Sequence, residues 1–223
     1  MPYPPQVFSL DGHAFGLTVS GVQIIDKVPT DLSPIRWTWP SATNNGGISF
    51  TVEDQGETAL PGGAVVRFTD NVNNDLLFSG PLTNALMARS AGPYRHADVT
   101  GTGWGFYLDN RAVTTLSWAS ADKDDTIVMR TVRQFGGPLL ANAADINGIG
   151  TVAGSDGSAV KTTVRGVLST VADQFDAGYR ATRFYVDNER GIYWWYDDAD
   201  EAAVAGTATS IGDEGALQPE YLT

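Results

Sequence analysis

The part of the chain that most constrains the fold is the stretch of residues 47–113, where short runs alternate apolar and polar side chains. The first run, residues 48–53, places Ile48, Phe50 and Val52 on one face. A period of two is the pattern of a half-buried strand, because successive side chains of a strand point to opposite faces of a sheet. This stretch therefore predicts a β-rich fold.

Turn signals separate this run from several further strands. Asp and Asn are frequent in residues 70–75, and their side chains hydrogen-bond to nearby backbone in turns. The Asp-Gly pair at residues 11–12 predicts a hairpin near the start of the chain. The expected strands are 6–10, 13–19, 22–25, 35–39, 48–53, 64–69, 76–80, 82–89, 94–100 and 113–118.

The second part of the sequence combines helices with one hairpin. Acidic residues open a helix expected near 124–135, where they lie at the positive end of the helix dipole. A second helix near 163–176 carries one apolar stripe, and Thr162 or Thr163 can cap it. The stripe consists of Val164, Val167, Leu168, Val171, Ala172 and Phe175. Residues 183–196 predict a hairpin, whereas residues 141–161 predict a long loop or short strands. The chain thus divides into an all-β part, 1–118, and an α+β part, 119–223.

Composition and charge exclude several functions. With no cysteine among its 223 residues, the chain has neither disulfides nor thiolate metal sites. Lys and Arg number 14 against 26 Asp and Glu, a net charge of −12. This balance disfavours specific nucleic-acid binding and attachment to anionic membranes, since both depend on basic side chains. No apolar run is long enough to span a membrane and no signal peptide is evident, so we expect a soluble protein without membrane insertion.

Motifs for chemistry are weak throughout the chain. The only histidines, His13 and His96, are far apart, and no nucleophile elbow, phosphate-binding loop or zinc-protease motif occurs. A pair of carboxylates for glycoside hydrolysis could be drawn from Glu53, Asp54, Asp187 and Glu189. Acidic loop residues are more often simply solvated, and turn chemistry explains residues 70–75 better than calcium binding does. We therefore expect no enzyme, no metal and no cofactor.

Two tryptophan pairs are the best candidates for contacts with a partner or another subunit. Trp37 and Trp39 lie two residues apart, so a strand would place them on the same face. Trp194 and Trp195 are adjacent and would face opposite ways, so at least one points away from the inner face of its own sheet. Burial in the core is the competing interpretation, because large aromatic side chains dominate the cores of small β-proteins.

The order of these features resembles the hub proteins of phage tails, the minor tail or baseplate hub proteins that are related to contractile-phage hubs and type VI secretion spikes. The resemblance covers about half of the chain, and the order and spacing of the elements carry it. The matching segments are the strand at 48–53, Pro61-Gly62-Gly63, Val65-Val66-Arg67-Phe68, Leu77-Phe78-Ser79-Gly80, Leu108-Asp109-Asn110-Arg111, the helix at 163–175 and the aromatic hairpin from Phe184 to Trp195.

The resemblance implies that the all-β part is a tail-tube-like β-barrel and that the chain is a structural virion protein of the phage tail tip. It implies a homotrimeric ring that continues the tail tube, leaves a channel for DNA ejection and is assembled in the host cytoplasm. The implied partners are further copies of the chain and the tube, distal tail and tape measure proteins. Two alternatives remain at this point: a carbohydrate- or receptor-binding β-sandwich that uses Trp37 and Trp39, and a cell-wall hydrolase.

Overall fold

The computed structural model describes residues 9–10, 13–25, 28, 35–42, 44–54, 60–89, 95–146, 153, 156–175 and 180–198. Its strands are β1 Ser9–Leu10, β2 His13–Val19, β3 Val22–Gln23, β4 Arg36–Thr38, β5 Gly47–Asp54, β6 Val65–Asp70, β7 Asp75–Arg89, β8 Arg95–Thr102, β9 Ala112–Trp118, β10 Gly157–Thr163, β11 Arg180–Val186 and β12 Ile192–Asp198. Its helices are α1 Phe106–Asn110, α2 Asp124–Phe135 and α3 Val164–Phe175. The protein is mainly β, with an α+β second part, as the sequence predicts.

Strands β1 to β8 form one antiparallel sheet in the first of two compact units. The strand order is β1-β2-β6-β7-β8-β5-β4, and β3 pairs with β2. The alternation in β5 is confirmed, because Ile48, Phe50 and Val52 are all buried. The predicted first hairpin is present as the pair β1 and β2, while residues 6–8 and the turn at 11–12 lie outside the described residues.

Strand β7 corrects the prediction of two strands at 76–80 and 82–89. It runs through Pro81 as one strand of 15 residues. Its pairing with β6 extends to Pro81, its pairing with β8 begins at Leu82, and the register with β8 shifts between Leu82 and Asn84. A proline lacks the N–H that a central strand donates, so it fits best where the pairing changes. The sequence signal for a break therefore marks a change of partner strand.

The sheet folds over on itself around a single core. The Trp37 ring on β4 meets the Phe68 ring on β6 with centroids 5.0 Å apart. Three strands lie between β4 and β6 in the sheet, so a flat sheet would separate them by roughly 19 Å. Nevertheless, β4 pairs only with β5 among the described residues, and the sheet is not closed into a barrel. The predicted closed barrel is thus not confirmed.

Of the described residues, those from 40 to 45 and from 104 to 198 belong to the second unit, and helix α3 lies in its core. Its stripe residues Val164, Val167, Leu168 and Val171 are fully buried, and α3 contacts α1 and α2. Burial of side chains of this size stabilises a fold by about 1.5–3 kcal/mol each. The predicted cap is confirmed at Thr163, whose Oγ1 accepts a hydrogen bond from the Gly166 N–H at 3.1 Å.

Strand β9 pairs with β10 in this second unit. The predicted strand at 113–118 is confirmed, but a division of the chain after residue 118 would separate β9 from its partner. Residues 141–161 were predicted as a long loop or short strands, and residues 157–161 of this segment belong to the strand β10. Among the described residues, no helix has the length and apolar character that crossing a membrane requires.

Candidate interaction site

The β11–β12 hairpin sorts its side chains onto two chemically different faces. Phe184 pairs with Trp194 across the strands, and Val186 pairs with Ile192. On this inner face Val186, Ile192 and Trp194 are buried, and the Phe184 and Trp194 rings stack at 5.6 Å. The predicted hairpin is therefore confirmed, and it is anchored in the core of the second unit by its inner face.

The opposite face carries three half-buried aromatic side chains, Tyr185, Tyr193 and Trp195, which we call the aromatic face. Tyr185 and Tyr193 are paired across the strands and stack with centroids 5.0 Å apart and planes 8° from parallel. The Trp195 ring stands at 86° to Tyr185, at 5.7 Å. Because aromatic rings are large and partly apolar, such a face favours contact with another molecule.

A pocket of about 260 Å³ opens at this face, and Asp145 forms one of its walls. Its other walls are Tyr185, Tyr193, Trp194 and Trp195. Asp145 is held there by backbone pairing, since its carbonyl oxygen accepts the Trp194 N–H at 3.0 Å and Ile146 forms a parallel bridge with Trp194. The segment before β10 thus brings a carboxylate to the aromatic face.

Asp187 supplies a second carboxylate, in the hairpin turn. Its Oδ1 accepts the N–H groups of Gly191 at 2.7 Å and of Glu189 at 2.9 Å. Burial nevertheless raises the pKa of Asp187 above 3.8, against the opposing effect of these backbone hydrogen bonds. The Asp187 carboxylate therefore has a structural role in the turn while remaining partly shielded from water.

Burial and the nearby carboxylates raise the pKa of both tyrosines. Burial raises the pKa of Tyr185, with added repulsion from Tyr193, Asp187 and Asp145. The pKa of Tyr193 is raised by burial first and then by Asp187 and Asp145. A negative charge raises the pKa of a phenol only when it lies nearby, so the site combines neutral rings with close acidic groups.

The structure separates the members of each predicted tryptophan pair. Trp37 is 7% exposed and packs in the core, whereas Trp39 is 37% exposed. The expectation that they share a face was wrong, because β4 ends at Thr38 and Trp39 lies beyond it. Trp194 and Trp195 do point to opposite faces, as predicted, with Trp194 fully buried. The side chains accessible to a partner are thus Trp39 and Trp195.

The predicted carboxylates serve local structure where the structure describes their side chains. Glu53 lies 3.5 Å from His96, its cross-strand partner. Asp70 accepts the N–H groups of Val72 and Asn73 and the Asn73 side-chain amide, which confirms the turn interpretation of residues 70–75. Within the described part of the chain, no three His, Asp or Glu side chains are grouped as a metal site would require.

Sequence reasoning missed the contribution of Asp145 to the aromatic face. Asp145 lies in the segment predicted as a long loop or short strands, and its position depends on backbone pairing with β12 rather than on any local pattern. The only local signals are the isolated apolar residues Leu140 and Ile146, which make the bridging contacts. Such pairings between distant segments leave little trace in a single sequence.

No family model and no curated protein matches this sequence. Solved structures do match it. The tail protein from Neisseria meningitidis MC58 superposes with a TM-score of 0.58 at 11% identity, over 84% of this chain and 52% of that protein. The 43 kDa tail protein of prophage MuSo2 from Shewanella oneidensis gives 0.59 at 10% identity, over 82% and 53%. This chain has the fold of phage tail proteins.

Prophage tail protein gp18 from Listeria monocytogenes EGD-e is a further match to this tail-protein fold, with a TM-score of 0.51 at 7% identity. It aligns with 81% of this chain and 49% of its own length. The chain thus spans about half the length of the tail proteins that it matches. The resemblance to tail proteins that the sequence suggested is confirmed as a likeness of fold.

Proposed function

We propose that this chain is a structural subunit of a phage tail tip, a tail hub or minor tail protein without enzymatic activity. In this role its first unit is a tail-tube-like barrel segment, and copies of the chain form a trimeric ring that continues the tail tube. The ring is assembled in the host cytoplasm and becomes part of the virion. The observation that carries the proposal is the tail-protein fold, found at TM-scores of 0.58 and 0.59.

The open sheet of the first unit supports assembly with neighbours. Strand β4 is paired on only one side among the described residues, and exposed strand edges readily pair with another chain. Trp39 follows directly after this strand and is 37% exposed. A neighbouring copy that added a strand beside β4 would cover both the edge and the Trp39 ring. The same mode of pairing would apply to the tube, distal tail or tape measure proteins as partners.

The acidic charge of the chain supports a channel for DNA. A net charge of −12 gives phosphates little to bind, so DNA could pass through a ring of such subunits without adhering. The proposal therefore includes passage of DNA but no specific recognition of nucleic acid.

The test is the mass of the purified chain by light scattering over a concentration series, with electron microscopy of the same samples. We expect trimers or rings, and we expect Trp39→Ser to weaken association about tenfold because it removes an exposed ring from the contact. Val72→Ser is the matched control, since Val72 is also exposed in the first unit, in the β6–β7 turn. A monomer at every concentration, with no ring, would contradict the proposal.

The exposure of Trp39 and Trp195 supports a second candidate, a carbohydrate- or receptor-binding module. Aromatic rings stack on sugars in many binding sites, and Trp195 lies in an open pocket. A glycan screen read by tryptophan fluorescence distinguishes the two functions. Saturable quenching by one glycan, together with a stable monomer, would favour the binding module.

A further inference from the structure

We propose that the aromatic face of the β11–β12 hairpin binds an arginine or lysine side chain of a partner protein, with Asp145 as its counter-charge. The recognition chemistry is independent of the proposed function. Only the expectation that the partner is another tail component rests on it.

The rings provide surfaces that attract a cation. Tyr185 and Trp195 meet at 86°, so they form a corner rather than one flat surface. The faces of aromatic rings carry partial negative charge, and a guanidinium or ammonium group within about 6 Å of a ring centroid is attracted to them. The pocket beside these rings, of about 260 Å³, has room for the head of an Arg or Lys side chain.

The carboxylates make the same pocket electrostatically negative. Asp145 lines it, and Asp187, in the turn at one end of the face, accepts a hydrogen bond from the Tyr193 hydroxyl. Asp145 lines the pocket together with Tyr185 and Tyr193, and both carboxylates contribute to the raised pKa of the two tyrosines. A cation in this pocket would thus contact both the face of an aromatic ring and a carboxylate. The carboxylates would repel an anion and would give a purely apolar ligand no favourable contact.

Two of the three neighbouring arginine side chains lie over rings outside the aromatic face. Arg165 lies over the Phe184 ring, on the opposite face of the hairpin, and Arg190 lies over Trp104. Arg183 shares the aromatic face but pairs with Trp195 across the strands, at the end remote from Asp187. The cation from a partner is therefore expected between Asp145 and the corner of rings, where none of the described basic side chains lines the pocket.

The ring geometry favours a cation over a sugar. The Tyr185 and Tyr193 planes are only 8° from parallel and stack on each other, so each covers part of the other's face. With Trp195 nearly perpendicular, the three rings do not form the broad flat surface on which a sugar ring stacks. A corner of rings beside the Asp145 carboxylate is better suited to a compact cation than to a sugar ring.

The experiment titrates the full chain with an acetylated, amidated Gly-Arg-Gly peptide and follows indole N–H signals by NMR. The Trp195 signal is assigned from the variant Trp195→Phe. The matched probe is the same peptide with citrulline, which keeps the shape of arginine and removes its charge. We expect saturable shifts of the Trp195 signal with arginine only, which weaken as salt is raised because charges are screened.

Variants then locate the binding. Trp195→Ala and Asp145→Asn are each expected to weaken arginine binding about two- to fivefold, the range for partly exposed cation–π and charge contacts. Asp173→Asn removes an exposed carboxylate of α3 that does not line the pocket, so it should bind like the parent. Circular dichroism confirms that each variant is folded.

Several outcomes would overturn the proposal. Equal shifts with the citrulline peptide would show that charge is not recognised, and equal weakening by Asp173→Asn would show attraction to acidic surface in general. Shifts of Trp195 with chitotriose but not with arginine would assign the face to sugars. A loss of self-association in Trp195→Ala, without arginine binding by the parent, would assign it to a second copy of the chain. Arginine binding and its competitors are measured on the chain alone, so these titrations do not depend on whether the chain forms a ring.

Discussion

At the scale of single residues, the adjacent pair Trp194 and Trp195 shows how one position in a strand decides between core and surface. Trp194 is fully buried against Phe184, whereas Trp195 is half-buried on the aromatic face. We expect Trp194→Ala to lower the free energy of unfolding by about 3–5 kcal/mol, because a large cavity forms in the core. Trp195→Ala should lower it by about 1 kcal/mol or less. Urea unfolding of the two variants makes the comparison, and similar losses would contradict the assignment of faces.

Asp187 gives a prediction about pH. Burial raises the pKa of its carboxyl in the folded state, so protonation is favoured by folding. Its contribution to stability is present below the unfolded pKa near 3.8 and is lost as pH rises through the folded pKa. Asp187→Asn retains an oxygen that can accept the Gly191 and Glu189 N–H bonds but removes the charge. The melting temperature of Asp187→Asn relative to the parent should therefore increase between about pH 3 and pH 7.

The control for this pH series is Asp173→Asn, which makes the same change in net charge on the exposed side of α3. If the difference in melting temperature between Asp187→Asn and the parent is the same at every pH, ionisation of Asp187 does not destabilise the fold.

At the scale of elements, a polar network around Arg165 joins two helices. Arg165 on α3 pairs with both carboxylate oxygens of Asp109 on α1, at 2.6 and 3.3 Å, and donates to Asn45 Oδ1 at 2.8 Å. Lysine keeps the charge but lacks the planar fork for two parallel hydrogen bonds. We expect Arg165→Lys to destabilise the fold by about 1 kcal/mol, since the pair is partly exposed and screened by water.

Chemical denaturation measures this loss, and Arg133→Lys near the end of α2 is the matched control. Arg133 is exposed and donates a long hydrogen bond of 3.4 Å to the Ala141 carbonyl. If the two substitutions cost the same, the bidentate geometry at Arg165 would contribute nothing beyond charge.

Elements with a strong local period could be predicted from the sequence, and elements whose ends depend on partners could not. The stripe of α3 has a single burial pattern, so its helix was predicted within one residue at each end. Strand β4 is only three residues long. It ends at Thr38, so, contrary to the prediction, Trp37 and Trp39 do not lie on the same face of one strand. At Pro81 the local signal is a strand break, yet pairing with β6 and then β8 keeps β7 continuous.

At the scale of the whole molecule, the sequence indicated the tail-protein fold through the order of its parts, but not the pocket at the aromatic face. Local patterns specify the β11–β12 hairpin and which of its side chains share a face. The position of Asp145 depends instead on a backbone bridge between residues 146 and 194, which are far apart in the chain. The ends of the curled sheet pose the same difficulty, because alternation predicts strands but does not determine whether the last strand closes on the first.

The last prediction concerns the net charge of the chain. Raising the salt concentration should strengthen one of the two proposed contacts and weaken the other. Copies with a charge of −12 repel one another, and the screening length falls from about 30 Å at 0.01 M salt to about 10 Å at 0.1 M. The average mass in light scattering should therefore rise over this range, whereas arginine binding at the aromatic face should weaken. Sodium and potassium chloride at equal ionic strength should act alike if screening is the cause. A mass that falls with salt would instead indicate that ion pairs hold the copies together, and apolar contact through Trp39 and the β4 edge would then not be the main contact.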